Sequence, residues 1–363
     1  MFRLEDFTWK YQSNRYLDPY KKKEIFNFII ETKQKNNSIG SYKLSQTILK
    51  RYRAYVPPTT IRRWLHHGFN NSFLHILNRR PCHHQIIPTT LGLLFSDAYY
   101  TIRGNTFTLT LGTAYYCFAK SFASIYSEYG YTNIYPHFNR PTKSILWIAC
   151  AFLDKSWSKI LQISPNSLKS NDEVRRFLSN AIDGDGTIAL YSRRIEPTFY
   201  IKLYTSELEK ATIYSRLFRK LGYHPRRQTR TYVNVEKRLG DSIIKPKLPN
   251  HSIVLHHKSE TFDFLRNTTF IHPVKELKRQ VALLIYSNKY NSREAETIWN
   301  YIRKIDKIIN LCSKLRAIYL LREKTKYDEL KELTIKLREE SSQTIKKLFK
   351  LQATVTEFLS RVP

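Results

Sequence analysis

The sequence predicts an α+β fold in which two copies of one helix-and-strand unit lie between two helical regions. Residues 90–153 and 177–265 carry the same landmarks in the same order, and apolar residues recur at helical spacing on both sides of them. The chain has 363 residues, of which 42% are hydrophobic. This is enough for two or three domains with packed cores.

The two copies share an order of elements. Each begins with an apolar helix that ends in an acid, Asp97 in the first copy and Asp185 in the second. An alternating strand follows, which predicts one packed face and one wet face. A second helix then ends at Gly130 or Gly222, where glycine suits a left-handed helix stop. We therefore expect two sheets related by a pseudo-twofold axis.

The N-terminal region, residues 1–80, is predicted to be a basic helix-turn-helix-like domain. Residues 21–80 contain thirteen Lys and Arg against two Glu. Proline fits the first turn of a helix over residues 58–67, because its missing N–H needs no partner there. That helix would turn four side chains toward DNA: Thr59, Thr60, Arg62 and Arg63. A plain basic three-helix bundle is the alternative.

The C-terminal region, residues 291–363, is predicted to form two long helices. Ile298, Ile302, Ile305, Ile309 and Cys312 follow heptad spacing, and a second apolar stripe begins at Leu330. An antiparallel hairpin or coiled coil within the chain is one interpretation. A homodimer formed through the same stripe is the other.

The charge balance points to a polyanionic partner. The formal net charge is +31, which favours nucleic acid first and an anionic membrane surface second. No apolar run approaches the roughly 20 residues that span a bilayer, and the first residues lack an apolar signal core. The four cysteines are widely spaced, which predicts neither disulfides nor a zinc site. We expect an intracellular location, in the cytoplasm or nucleoid.

One stretch resembles the signature of a known family. Residues 178–186 are LSNAIDGDG and resemble the LAGLIDADG motif of homing endonucleases, while residues 90–98, TLGLLFSDA, are a degenerate counterpart. The resemblance implies a two-copy, single-chain enzyme with αββαββα-like repeats, the first over residues 85–165 and the second over residues 170–290. The two repeats would form a saddle that binds double-stranded DNA.

The resemblance also assigns roles to the motif acids. Asp97 and Asp185 would be the catalytic acids that bind Mg²⁺. Asp183 is expected to support the helix end instead of binding metal. In the first copy, Ala98 replaces the final glycine of the motif and Phe95 replaces its earlier acid.

Basic residues around the motif complete the predicted site. Lys278 or Lys275 would stabilise the phosphate, although an ordinary phosphate contact or a solvated helix face is the alternative. Nine residues of the second copy are predicted to contact DNA: Lys202, Tyr204, Arg226, Arg227, Arg230, Lys237, Arg238, Lys245 and Lys247.

Two functional hypotheses follow. The first is a sequence-specific, Mg²⁺-dependent DNA endonuclease. The second is a cleavage-inactive transcriptional regulator or chromosome-architecture protein that reuses the same fold. The paired acids favour the first hypothesis, and the altered first motif and the added helical regions favour the second. An RNA-binding intron maturase is a third hypothesis.

Overall fold

The protein is described by a computed structural model. The structure describes residues 12–13, 19–67, 80–139, 142–191, 196–230, 237–239, 242–244, 249–288, 290–322 and 329–360.

Three packed helices form the N-terminal region. They are α1 (Pro19–Lys35), α2 (Ser41–Tyr52) and α3 (Pro58–His67), and two short parallel strands accompany them, β1 (Gln12–Ser13) and β2 (Ala54–Tyr55). The helices bury a small core of their own, separate from that of the rest of the chain: Ile25, Ile29, Leu44, Ile48, Ala54, Val56, Ile61 and Trp64. The apolar spacing of the sequence therefore places one face of each helix inward.

The first middle unit contains six principal elements. They are α4 (Ile87–Leu94), β3 (Ala98–Arg103), β4 (Thr106–Thr113), α5 (Tyr116–Ser127), β5 (Tyr131–Asn139) and β6 (Ser144–Asp154). The strands form an antiparallel sheet of order β3-β4-β6-β5.

The second unit has the same arrangement with additions. Its elements are α6 (Asn171–Asp185), β7 (Gly186–Tyr191), β8 (Thr198–Thr205), α7 (Leu208–Lys220), β9 (Arg226–Arg230), β10 (Lys237–Leu239), β11 (Ser242–Ile244), β12 (Asn250–Leu255), α8 (Lys258–Arg266) and α9 (Pro273–Ser287). The antiparallel sheet has the order β7-β8-β12-β9, and β10 pairs with β11 separately. Both sheets thus use the same strand order, as the shared sequence landmarks suggest.

The inner faces of both sheets pack into one continuous core with the helices between them. Phe107, Leu109 and Leu111 of β4, like Phe199 and Leu203 of β8, have no exposed surface. Burial of these alternating residues confirms the predicted packed faces. The outer faces of the two sheets turn away from this shared core.

The two helix-ending glycines have different roles. Gly222 has φ +85°, in the left-handed region, as predicted. Gly130 is not in that region, so the same prediction was wrong for it. A Cβ at Gly130 would lie 2.3 Å from the Phe152 carbonyl oxygen. Glycine is needed there because the helix end closely approaches β6.

Two long helices, α10 (Ser292–Arg322) and α11 (Glu329–Ser360), pack antiparallel at the C-terminal end. An ion pair of 2.7 Å joins Lys307 to Glu340. Helix α10 also docks on the middle region, where Trp147 Nε1 donates to the Ser313 carbonyl. The buried seam differs from the predicted heptad near its end, because Cys312 is exposed. Among the described helices, none is long and apolar enough to span a bilayer.

Candidate functional site

The helices that lead to the two motif acids, α4 and α6, touch backbone to backbone. Helix α6 begins with a capping box in which Ser170 and Glu173 satisfy each other's N–H groups. A Cβ at Gly92 would lie 2.4 Å from the Phe177 carbonyl oxygen, and one at Gly184 would lie 2.3 Å from Ser96 Oγ. Since these distances leave no room for a side chain, the two glycines permit the close crossing.

This crossing brings the two acids to one place. Asp97 directly precedes β3, and Asp185 is the last residue of α6 and directly precedes β7. A Cβ at Gly184 would be only 3.0 Å from the Asp97 backbone nitrogen. The two helix ends therefore meet, and strands β3 and β7 lead away from the acid pair.

The electrostatics show that the charge of Asp97 affects the carboxyl group of Asp185. Burial, followed by the nearby charge of Asp97, raises the pKa of Asp185 to about 6, against the attraction of Lys210 and Lys275. Burial also raises the pKa of Asp97, and Lys275 opposes this shift. Asp97 nevertheless remains exposed at the surface. A cation between the acids would relieve their repulsion.

Lys275 and Asp183 join the second motif helix to α9. The Lys275 amine donates to the carbonyl oxygens of Ile182, Asp183 and Gly184, at 2.6 Å for Asp183. The Asp183 carboxylate, which is 1% exposed, accepts from the backbone N–H of Ile271 at 2.8 Å. Burial raises the pKa of Asp183 and lowers that of Lys275, and the charge of each opposes the shift of the other.

The end of the first motif helix has a different partner. The Tyr214 hydroxyl, from α7 of the second unit, donates to the Phe95 carbonyl oxygen at 3.1 Å. Burial raises the pKa of Tyr214, so this group stays neutral. The second motif helix is therefore held by a lysine and the first by a tyrosine. Sequence reasoning missed Tyr214, because nothing local links it to a motif 119 residues away.

The predicted catalytic Lys278 faces a protein acid. Its amine forms a 2.6 Å ion pair with Asp306 of α10, and the Tyr115 hydroxyl donates to the same carboxylate at 2.7 Å. The side chains of Lys278 and Asp306 are 16% and 18% exposed. A phosphate would have to compete with Asp306 for this amine.

A cationic depression lies on the outer face of the second sheet. Strand register places Lys202, Val254 and Arg226 in one row across β8, β12 and β9, and Asn250 beside Arg230. The depression has a volume of about 520 Å³, and its lining includes Lys202, Arg226, Arg230, Tyr200, Gln228 and His256. Three cations and several hydrogen-bonding groups thus share one open surface, which suits phosphate contact.

The other predicted DNA contacts fall into three groups. Tyr204 belongs to the same face, where the Lys202 amine lies 5.0 Å from its ring centroid. Arg227 pairs with the core residue Ile253 and points to the opposite face. Lys237 and Arg238 form the second group: they lie on β10, of which only the backbone is described. The third group, Lys245 and Lys247, lies outside the described part of the chain.

The predicted contacts of the N-terminal region lie on α3. Thr59, Arg62 and Arg63 are exposed, and Thr60 is partly buried. Arg62 Nε donates to Ser41 Oγ at 3.1 Å, which orients this arginine along the start of α2.

A comparison of this structure with solved structures finds homing endonucleases at low sequence identity. No family model and no curated protein matches the chain. Among solved structures, I-WcaI bound to its DNA recognition sequence has 18% identity over 55% of this chain and 88% of that chain, with a TM-score of 0.37. I-DmoI in complex with DNA and Mn has 11% identity and covers 50% of this chain and 94% of that chain, with a TM-score of 0.34.

A third similar structure is the LAGLIDADG homing endonuclease I-GzeII in complex with a DNA target. It has 7% identity and covers 70% of this chain and 97% of that chain, with a TM-score of 0.27. All three of these neighbours are homing endonucleases.

The acid pair fits a hard divalent cation. In the described part of the chain, no three or more His, Cys, Asp and Glu side chains gather as a metal site. Mg²⁺, however, needs only one or two carboxylates when waters and substrate phosphates complete its shell. Asp97 and Asp185 supply two such oxygen donors, and burial, followed by the charge of Asp97, raises the pKa of Asp185.

The raised pKa of Asp185 predicts a pH-dependent stability difference. Its value of about 6 exceeds the ordinary 3.8, so its stabilising contribution is present below about pH 4 and is lost as the pH rises through about 6. We expect Asp185→Asn, which cannot ionise, to raise the free energy of unfolding at pH 8 by about 1–2 kcal/mol, allowing for partial solvent exposure. At pH 4 the difference should vanish.

Urea unfolding at the two pH values, without divalent cations, measures this effect. Asp172→Asn is the matched control, because that carboxylate lies at the other end of α6 and its side chain is 81% exposed. Equal stability of Asp185→Asn and the unaltered protein at pH 8 would contradict the assigned environment.

Proposed function

We propose that this protein is a sequence-specific double-stranded DNA-binding protein and a metal-dependent DNA endonuclease of the LAGLIDADG type. The observation that carries the proposal is the meeting of Asp97 and Asp185, from two different motif helices, beside the cationic face of the second sheet. The outer faces of the two sheets would form a saddle around the duplex. The acid pair would then lie at its centre.

Asp97 and Asp185 would hold the divalent cation at the scissile phosphate. When bound there, Mg²⁺ would offset the charge that develops on the phosphate and lower the pKa of its water. Lys275 would position the Asp185 end of α6 through its three carbonyl contacts. Lys278 would stabilise phosphate charge by exchanging Asp306 for the phosphate.

DNA affinity would come mainly from phosphate contacts of the second sheet. Lys202, Arg226 and Arg230 share its outer face, and Arg62 and Arg63 on α3 would add contacts as part of a helix-turn-helix domain. Such contacts release counterions, so affinity should fall steeply with salt. A DNA target also fits the proposed cytoplasmic or nucleoid location. Homodimerisation through α10 and α11 is a further proposal.

The second candidate is a cleavage-inactive DNA-binding regulator or chromosome-architecture protein. One observation favours it: both basic residues predicted near the phosphate are held by protein groups, Lys275 by backbone carbonyls and Lys278 by Asp306. The same DNA surface would then bind without cutting.

Incubation with a genomic DNA library, in Mg²⁺ or in EDTA, separates the two candidates. The endonuclease proposal predicts recurrent cuts at defined sequences in Mg²⁺ and none in EDTA. Recovery of enriched but intact fragments under both conditions would support the regulator. Binding without sequence enrichment would fit only a chromosome-architecture protein, and no DNA binding at all would contradict both candidates.

A further inference from the structure

The outer faces of the two sheets differ in charge. The face of the second sheet carries Lys202, Arg226 and Arg230. On the strands of the first sheet, β3 to β6, all of which the structure describes, the outward positions hold only two Lys, Arg, Asp or Glu side chains: Arg103 and Asp154. These two have opposite charges and lie together at one end of the sheet. The face therefore has no net charge from these side chains and adds little attraction for phosphates.

Methyl groups and rings occupy the outer face of the first sheet instead. Strand register places Thr101 of β3 opposite Thr108 of β4. Phe152 of β6 continues the same row, and Tyr99 is the next outward residue of β3. Thr101 is exposed, Thr108 is half-buried, and Tyr99 is 53% exposed. Adjoining strands thus present carbon atoms where the second sheet presents cations.

Polar atoms in the middle of this face bond one another. Thr110, which pairs with Tyr99, is 4% exposed, and its hydroxyl lies 3.6 Å from the Cys150 thiol on β6. The Tyr135 hydroxyl on β5 bonds the same thiol. These contacts leave fewer groups to form hydrogen bonds with the edges of bases, so apolar contact is the main means of recognition that the middle of the face offers.

Thymine is the base that suits such a surface. Its C5 methyl group projects into the major groove, and proteins contact it with apolar groups, among them the threonine methyl group and phenylalanine. RNA has uracil in place of thymine, and the deep, narrow major groove of an RNA helix excludes side chains. The outer face of the first sheet therefore fits the major groove of DNA.

The position of this face puts it on the same duplex as the second sheet. Strands β3 and β7, the first strands of the two sheets, both start at the acid pair. A duplex centred on the acids therefore extends over one sheet on each side. Because the major groove admits a two-stranded ribbon, the β3–β4 pair is sufficient to bring Thr101 and Thr108 to the base edges.

We propose that the outer face of the first sheet reads thymine methyl groups in the major groove of one half of the DNA target, through Thr101 and Thr108. This inference rests on the proposed function, because it concerns the duplex held by both sheets. It adds that the two halves of the target are recognised by different chemistry. Phosphate contacts dominate under the second sheet, and methyl contacts select the sequence under the first. Targets should accordingly contain T·A pairs at fixed positions in one half.

Replacing thymine by deoxyuridine in a target recovered from the genomic library tests the proposal, because it removes the methyl group alone. Fluorescence anisotropy in EDTA measures the affinity without cleavage. We expect the affinity to fall about 4-fold for each contacted thymine in one half, which corresponds to the burial of one methyl group. Replacement of thymines in the other half should leave the affinity unchanged.

Two double variants separate the threonine methyl groups from the hydroxyls. Thr101→Val with Thr108→Val keeps methyl groups on both side chains and should keep the preference for thymine over deoxyuridine. Thr101→Ser with Thr108→Ser keeps the hydroxyls and should bind both targets equally. Arg226→Ala is the matched control from the second sheet, and it should weaken the binding of both targets by the same factor.

A preference for thymine that survives in the serine variant would overturn the inference. Its loss in the valine variant would do so too, because the hydroxyls would then read the bases. Equal effects of deoxyuridine in both halves, or no effect in either, would also contradict it, as would binding without any sequence enrichment. No binding to DNA at all would instead count against the proposed function.

Discussion

Asp185→Asn is expected to reduce the rate of DNA cleavage by about 10³-fold or more, because loss of a metal-binding carboxylate removes several kcal/mol of stabilisation from the transition state. Affinity for DNA should persist or rise slightly, since one negative charge near the phosphates disappears. Single-turnover cleavage of a fragment recovered from the genomic library measures the rate. Anisotropy in Ca²⁺ or EDTA measures the affinity.

The matched control uses an acid of the same helix. Asp172→Asn removes a carboxylate from the first turn of α6, far from the acid pair along the helix, and should cut at the unaltered rate. Asp97→Asn should also lose cleavage, because the proposed cation needs the carboxylates of both Asp97 and Asp185. Normal cleavage by Asp185→Asn would contradict its assigned role.

Gly92→Ala should destabilise the protein by about 3 kcal/mol or more, against the ordinary preference of helices. In a helix interior, alanine is normally about 1 kcal/mol more favourable than glycine. Here the added Cβ would lie 2.4 Å from the Phe177 carbonyl oxygen and 2.8 Å from the Asn180 Cβ, so α4 and α6 must separate. Because those helices place the acids, cleavage should fall with stability.

Gly112→Ala provides the comparison for this prediction. Gly112 lies on β4, and a Cβ there would meet only Ile148 Cδ1 at 3.7 Å, an ordinary contact. Urea unfolding should show a small change for Gly112→Ala and a large loss for Gly92→Ala. A stabilising effect of Gly92→Ala would mean that the two helices do not cross as closely as described.

The sequence predicted the elements that depend on local pattern. Alternation located the buried faces of β4 and β8. The orientation of Arg227 was also available from alternation, because Arg226 and Arg230 leave Arg227 on the other face of a strand. Composition alone does not separate Arg227 from its two neighbours, whereas alternation does.

Contacts between distant segments were not predictable in the same way. The pairing of Lys278 with Asp306 depends on where α10 docks, and the bond from Tyr214 to Phe95 crosses from one unit to the other. The heptad on α10 predicted a uniform seam, but the helix packs against both α11 and the sheets. Leu311 and Ser313 are therefore buried while Cys312 is exposed.

The central claim is that Asp97 and Asp185 jointly hold a divalent cation beside bound DNA. Anomalous scattering from Mn²⁺, in crystals of the protein with a duplex, locates such an ion directly. We expect a peak within bonding distance of both carboxylates. A Mn²⁺ position away from the two acids, or carboxylates that bind no ion in a DNA complex containing Mn²⁺, would contradict the claim.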